Sequence, residues 1–346
     1  MSGEPVLVTP GASIEQALEV IAGTGTGVAA LADSSGQVSG TITDGDIRRA
    51  VLGGARLDAA AHGVAGPPVL VGPTSPDAEI LALLDQHQAS AAAVVDGGRL
   101  VAWRRRGDVG PAVPTVAAVV LAGGRGQRLR PLTDKVPKPL LTVGRTTILE
   151  RLLEQLRDAG ITEVHLAVNY KAEVFEQRLG DGATMGLDLR YLREQDALGT
   201  AGPLALLEPP PERPVLVTMA DQVTSLPFER LVEFHRQQQA AVTVAAFLHR
   251  MPIPYGVLRL EGARVLGIEE KPNLERWCNA GIFVIEPEVV ALVPPEQMLG
   301  MPDLVEAALA KGWPVTAFPI LERWIDVGSP EALEAALMAF ATGDEV

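Results

Sequence analysis

The chain has 346 residues, 47% hydrophobic and 21% charged, with 29 Lys+Arg against 43 Asp+Glu and a formal net charge of -14. That length leaves room for more than one domain, and the ordinary apolar fraction describes a globular protein with a core to bury. The acidic balance argues against nucleic acid as a partner, no apolar run reaches bilayer length, "MSGEPVLVTP" lacks the pattern of a secretory leader, and a single cysteine, Cys278, makes no internal disulfide, which together predict a cytoplasmic protein with no membrane partner.

The first third contains an internal repeat. "PVLVTPGASIEQALEVIAGTGTGVAALAD" (5–33) lies over "PVLVGPTSPDAEILALLDQHQASAAAVVD" (68–96) at a constant offset, and after a one-residue gap Asp46 matches Asp108. Each copy reads as an extended segment, an amphipathic helix, two strands and a Gly-Asp step. Ile14, Leu18 and Ile21 recur at helical spacing, and "IRRAVLGG" from Ile47 reads as a helix stopped by glycines. The repeat and "GTITDGDIRRA" resemble a tandem CBS-domain pair, with copies at about 5–50 and 68–110 in a domain spanning 1–112. The resemblance implies that Thr43 and Asp46 meet the phosphate and ribose of an adenylate or other nucleotide. Asp46 read as a simple helix cap is an equally good account. In the second copy Arg105 stands opposite Thr43 and Trp103 opposite Thr41, so one ligand site per chain is expected. "DGD" at 44–46 mimics an Asp-x-Asp metal motif, but its place inside the repeat discounts that. Such pairs self-associate, so a homo-oligomer is expected.

"VGPAVPTV" (109–116) reads as a linker. A second domain follows, 115–346. "TVAAVVLAGG" is a buried parallel strand running into glycine. "TTILERLLEQLRDAG" is a helix burying Ile148, Leu149, Leu152, Leu153 and Leu156, with Gly160 as its stop, and "EVHLAVN" and "PVLVTMAD" are further strands. Alternating strands and helices predict an α/β fold whose ligand lies beyond the carboxyl ends of the strands, where the glycine turn falls. That turn gathers Arg125, Arg128, Arg130, Lys135 and Lys138 in an acidic chain. It is neither a dinucleotide fingerprint nor a Walker A loop. Glycine amides and flanking cations still suit phosphate.

"LAGGRGQRLRPLTDKVPKPLL" resembles the signature loop of the sugar-1-phosphate nucleotidyltransferases. "LGTAG", "YGVL", "EEKP", "NAGIFV" and "WIDVGSP" follow in that family's order. With the CBS pair ahead of it, the arrangement is similar to that of bacterial glucosamine-1-phosphate guanylyltransferases of nonulosonic acid pathways. The resemblance implies a Rossmann-like mixed sheet of the glycosyltransferase-A-like kind. It also implies condensation of an NTP, GTP first, with a sugar 1-phosphate to give an NDP-sugar and pyrophosphate. Arg128, Lys138 and Lys271 would be catalytic. Leu121, Ala122, Gly123, Gly124, Gly126, Gly199 and Thr200 would bind nucleotide, and Gly256, Glu270 and Asn279 the sugar. Asp221 and Asp326 would hold Mg²⁺, which takes hard oxygen ligands. Met219 and Gln222 beside Asp221, and Gln127 in the loop, depart from the usual pattern. Base and sugar stay open, with Asn169 and Glu194 near the base. Two other readings stand: a catalytically weak CBS-based nucleotide sensor, and a cytidylyl-, uridylyl- or thymidylyltransferase acting on another phosphate.

Overall fold

A computed structural model describes residues 7–24, 27–33, 37–87, 89, 91–109 and 116–341. Most of the stretch read as a linker lies outside these residues. Tertiary contacts divide the chain into one unit of Met1–Val116, Ala159–Ile161 and Pro227–Ala240, and a second comprising Ala117–Asp158, Thr162–Leu226 and Ala241–Val346.

In the first unit the repeat is visible as two copies of one topology. Leu7–Val8, Val28–Ala32 and Val38–Thr43 form a three-stranded sheet, and Leu70–Val71, Ala91–Asp96 and Arg99–Arg105 form another in the same order. In each the short strand is parallel to the middle one and the third strand antiparallel to it. Val28 faces Thr43 as Ala91 faces Arg105, so the one-residue gap sits in the second hairpin. Val28 and Ala30 of one copy share a core with Ala91, Ala93, Leu100 and Trp103 of the other. Ile14, Ala17 and Ile21 are buried on the first helix, and Leu18 is half-buried beside them. The second helix starts at Asp44, three residues before the sequence suggested. The reason is a capping box. Thr43 Oγ1 accepts from the Asp46 amide at 3.1 Å, and the Asp46 carboxylate accepts from the Thr43 amide at 2.9 Å. Asp44 is spent on the fully buried Arg48, whose Nε donates to it at 2.7 Å. This gives the "DGD" run a structural job.

The second unit carries a seven-stranded mixed sheet in the order Asp188–Arg193, Glu163–Val168, Ala117–Leu121, Val215–Met219, Asn273–Ile285, Val242–Pro252, Val315–Pro319. The first four are mutually parallel, Asn273–Ile285 runs against both its neighbours, and Val315–Pro319 is parallel to Val242–Pro252. Ala117–Leu121 is buried throughout because the sheet is covered on both faces. The chain leaves this strand on one side for Glu163–Val168 and on the other for Val215–Met219. It is therefore the switch strand of the sheet, and its carboxyl end opens onto a crevice. Helix Ile148–Asp158 buries the five residues its periodicity marks, and Gly160 takes φ +80° just past it. Val119, Val217, Phe283, Ile285 and Leu304 belong to one core on that sheet.

Candidate active site

The glycine turn stands at the carboxyl end of the switch strand, as expected for a ligand loop. No α-helix follows it. The chain instead makes three short 3-10 turns, Gln127–Leu129, Leu132–Asp134 and Lys138–Leu140. The segment after the turn therefore supplies no helix dipole of its own, and its positive potential comes from side chains; helix Pro330–Ala341 begins two residues after Gly328, close to Arg128. Gly126 sits at φ +58°, and a Cβ there would meet Lys138 Cβ and Thr133 Cγ2 at 3.0 Å. Buried Thr133 fixes the turn by donating from Oγ1 to the Gly126 carbonyl at 2.8 Å.

A cavity of about 360 Å³ opens here, lined by Leu121, Ala122, Gly124, Gly126, Arg128, Lys138, Met219, Asp221 and Gly328, among others. The five clustered cations separate. Arg128 and Lys138 line the cavity, Arg130 pairs with Asp134 at 3.3 Å, and Arg125 and Lys135 are exposed and outside the lining. Lys138 is the buried one, its side chain 9% exposed. Its Nζ lies 2.5 Å from Asp221 Oδ2 and 3.8 Å from Asp326 Oδ1. The two aspartates are neighbours by register: Gln222 pairs with Asp326, and the Val327 amide donates to the Asp221 carbonyl at 3.1 Å. At Gly328 a Cβ would come within 3.1 Å of Arg128 Nη2 and 3.2 Å of Asp326 Oδ2. Gly328 is thus a site residue that the sequence offered only as part of "WIDVGSP".

Two carboxylates around one ammonium retain a net negative charge. They are hard oxygen donors, Asp221 just before strand Gln222–Thr224 and Asp326 at the end of its partner strand Trp324–Asp326, and that donor set fits Mg²⁺. Among the described residues no cluster of three or more His, Cys, Asp or Glu could hold a metal, so any ion here relies on these two and on substrate or water oxygens.

The remaining candidates fall into four places. Gly123 faces Glu194, whose Oε1 would be 2.9 Å from a Cβ at that glycine. Glu194 Oε2 accepts from the Leu198 amide at 2.9 Å, and the Asn169 amide group donates to the Glu194 carbonyl at 3.0 Å. Burial pushes the Glu194 carboxyl above its usual range, against the opposing pull of the Leu198 amide. At Leu121 and Ala122 the main chain is already used: the Ala122 amide donates to Ala167, and the Leu121 carbonyl accepts from Ala220.

Gly199 and Thr200 serve the loop opposite. Gly199 takes φ +80° with its Cβ position 2.5 Å from the Leu299 carbonyl oxygen, and Thr200 Oγ1 accepts from the Met301 amide at 2.7 Å.

Asn279 accepts on Oδ1 from the Gly281 amide at 2.8 Å. Gly281, at φ +74°, packs on Met219 and Gln222, and the Gln222 side-chain amide donates to the Ala280 carbonyl at 2.5 Å. The two unusual residues beside Asp221 therefore fill the space under the "NAGIFV" strand. Gly256, Glu270 and Lys271 are not in the cavity lining. They stand on an exposed ribbon, with Glu270 Oε2 2.9 Å from a Cβ at Gly256 and Lys271 at φ +48°.

A parallel switch strand, a glycine turn at its end and a lysine between two aspartates mark the crevice of an α/β protein. The chain belongs to the nucleotidyl transferase family, whose profile matches residues 117–343. A CBS-domain profile matches residues 1–53. A mannose-1-phosphate guanylyltransferase catalytic subunit beta of Drosophila pseudoobscura pseudoobscura is 36% identical over 226 residues, covering 62% of this chain and 59% of its own. The mannose-1-phosphate guanylyltransferase of Mycobacterium tuberculosis is 34% identical over 223 residues, covering 62% of each. The chain thus spans about three fifths of the length of these relatives. HddC from Yersinia pseudotuberculosis shares the fold, with a TM-score of 0.51 at 22% identity over 65% of this chain and 100% of that one. The same protein has been solved complexed with GMP-PN. No helix among the described residues is long and apolar enough to cross a membrane.

Proposed function

We propose that this chain transfers a guanylyl group from GTP to a hexose 1-phosphate, giving a GDP-sugar and pyrophosphate. The observation that carries the reading is Lys138 held between Asp221 and Asp326 in a cavity floored by the glycine turn. An oxygen of the sugar phosphate attacks the α-phosphorus. A P–O bond forms, the bond to the bridging oxygen of the β-phosphate breaks, and pyrophosphate leaves with the electron pair. Two anions must meet, so the protein's task is positioning and charge neutralisation. Arg128 and Lys138 supply fixed positive charge, and Gly124 and Gly126 let phosphate oxygens approach the main chain. Among the described residues the cavity lining carries no hydroxyl, thiol or imidazole, and its amine and carboxylate, Lys138 and Asp221, are paired with each other, which suits direct transfer. Asp221 and Asp326 would hold Mg²⁺, which when bound shares the triphosphate charge and sharpens the electrophilicity of the phosphorus.

Glu194 supports guanine. Its Oε1 lies beside Gly123, and guanine alone among the common bases offers an N–H and an NH₂ side by side to a carboxylate. The relatives' names favour mannose 1-phosphate over the glucosamine 1-phosphate suggested by the domain arrangement. The ribbon residues Gly256, Glu270 and Lys271 would meet the sugar phosphate, and Gly199, Thr200 and Asn279 would shape the loops around it.

In the first unit, a second cavity of about 380 Å³ is lined by Thr41, Thr43, Asp46, Arg49 and His87, among others, so both CBS copies contribute. A nucleotide there would exchange its phosphate for the present Asp46 contacts of Thr43 and Arg49.

The test is Mg²⁺-dependent pyrophosphate release across a matrix of nucleoside triphosphates against sugar 1-phosphates. Turnover is expected with GTP and a hexose 1-phosphate, mannose and glucosamine being compared directly. Turnover confined to UTP, dTTP or CTP would refute the guanylyl reading, and silence across the matrix would favour the sensor.

A further inference from the structure

The nucleotidyl transferase profile runs over 117–343, yet within it Pro227–Ala240 belong to the unit of the repeat. This segment is helix Phe228–Gln237, which buries Phe228, Leu231, Val232, Phe234 and His235. Two glycines of the first copy receive it. The Arg230 guanidinium fills the space that a Cβ would take at Gly27, and Gln237 Oε1 lies 3.2 Å from the Cβ position of Gly45. Both are close approaches that glycine allows.

The helix ends at the cavity of about 380 Å³, where Gln237, Gln238 and Gln239 share the lining with Arg49 of the first copy and His87 of the second. Gln237 is steadied by donating to Glu233 Oε1 at 2.9 Å. Gln239 takes φ +48°, where glycine is favoured, and still carries a side chain. A carboxamide is neutral and offers both donors and an acceptor, so three in a row suit the edge of a base better than a phosphate. The helix termini assign the two ends of a ligand. Phosphate is repelled by the carbonyl end of helix Phe228–Gln237 and favoured at the amide end of helix Asp44–Leu52, beside Thr43 and Arg49. Negative potential at the glutamine end favours an exocyclic amine next to a ring acceptor. That is the adenine edge which a carboxamide meets with two hydrogen bonds, whereas the matching edge of guanine offers two acceptors.

We propose that the transferase segment completes the nucleotide site of the repeat: Gln237–Gln239 read an adenine base whose phosphate meets Thr43 and Arg49. The proposal rests on the nucleotide reading of this cavity given above. It makes part of the transferase chain a direct contact of the ligand. In sequence the segment lies between strand Gln222–Thr224, where Gln222 pairs with Asp326, and strand Val242–Pro252. Ordering it by a ligand is therefore expected to alter turnover.

The full chain and its Gln238→Ala/Gln239→Gly variant are titrated calorimetrically with AMP and GMP, and turnover is measured with and without AMP at saturating GTP. Glycine suits φ +48°, so the variant removes two carboxamides and keeps the turn. Neither residue lines the cavity of Lys138, so basal turnover is expected to be unchanged. The wild type should bind AMP more tightly than GMP, and the variant should lose about tenfold or more in AMP affinity. AMP should slow amide exchange over 237–240 and change the turnover of the wild type but not of the variant. Equal AMP affinity in the two proteins, a preference for GMP, unprotected amides at 237–240, or turnover indifferent to bound AMP would overturn the proposal. No heat with either nucleotide would overturn it together with the nucleotide reading of the cavity, while leaving the guanylyl transfer reading intact. A chain that turns over no substrate would refute that transfer reading, and calorimetry and exchange would still decide the glutamine contacts.

Discussion

Asp221 and Asp326 share one lysine but differ in exposure, 25% against 50% for the side chains. Both Asp221→Asn and Asp326→Asn are expected to lower kcat by about 100-fold or more, because each removes charge where the transition state is stabilised. Stability separates them. Asp221→Asn strips the near partner from a buried ammonium and should cost about 1–3 kcal/mol, whereas Asp326→Asn should leave the melting temperature almost unchanged. Denaturant titration beside steady-state rates checks both, and unchanged Mg²⁺ dependence in the two variants would show that other carboxylates hold the ion. Glu194 carries the pH signature. Its carboxyl titrates higher folded than unfolded, so its favourable term is complete below the unfolded value and is lost as pH rises through the folded value. Glu194→Gln should therefore gain stability relative to the wild type at neutral pH and lose that advantage in acid. A difference that is flat with pH would contradict the assignment. Thr133, Gly328 and Gly281 were not readable as site residues from the sequence. Their roles come from approach distances between segments far apart in the chain, which no spacing encodes.

Among the elements, those with strong periodicity were legible: the switch strand, helix Ile148–Asp158 and both copies of the repeat. The start of helix Asp44–Leu52 was not, because its cap is Thr43, and Asp46, weighed equally as a ligand residue and as the cap, completes the capping box from inside the first turn. The glycine turn was legible as a turn at the carboxyl end of a buried parallel strand, but its 3-10 course was not. The turn's geometry predicts a sharp response. Gly126→Ala must accept φ +58° with a Cβ 3.0 Å from both Lys138 and Thr133. We expect about 1–2 kcal/mol of lost stability and a lower kcat as Lys138 is displaced. Full activity with native stability would mean the loop tolerates another path. The ribbon was legible as motifs and not as an exposed element, since "YGVL" and "EEKP" give no sign of what covers their apolar neighbours.

At the scale of the whole molecule, the repeat lies in one unit, with a cavity lined by residues of both copies, and the α/β sheet that carries the proposed site lies in the other. The copies of the repeat are not equivalent. In the second, Arg105 folds onto Asp108, with Nε and Nη2 at 3.3 and 3.4 Å from its carboxylate. In the first copy the matching carboxylate, Asp46, is met instead by the Thr43 hydroxyl and Arg49. Calorimetric titration of the full chain with AMP and ATP should give one such site per chain, lost in Thr43→Arg. Two equivalent sites would refute the asymmetry.

The central claim is direct guanylyl transfer in the cavity of Lys138, Asp221 and Asp326. GTP labelled at the α-phosphate, incubated with the full chain, Mg²⁺ and hexose 1-phosphate, tests it in one step. The account predicts label in a nucleotide sugar only when both substrates are present, none on the protein, and almost none with Asp221→Asn. Label bound covalently to the chain, or transfer that survives Asp221→Asn undiminished, would contradict it.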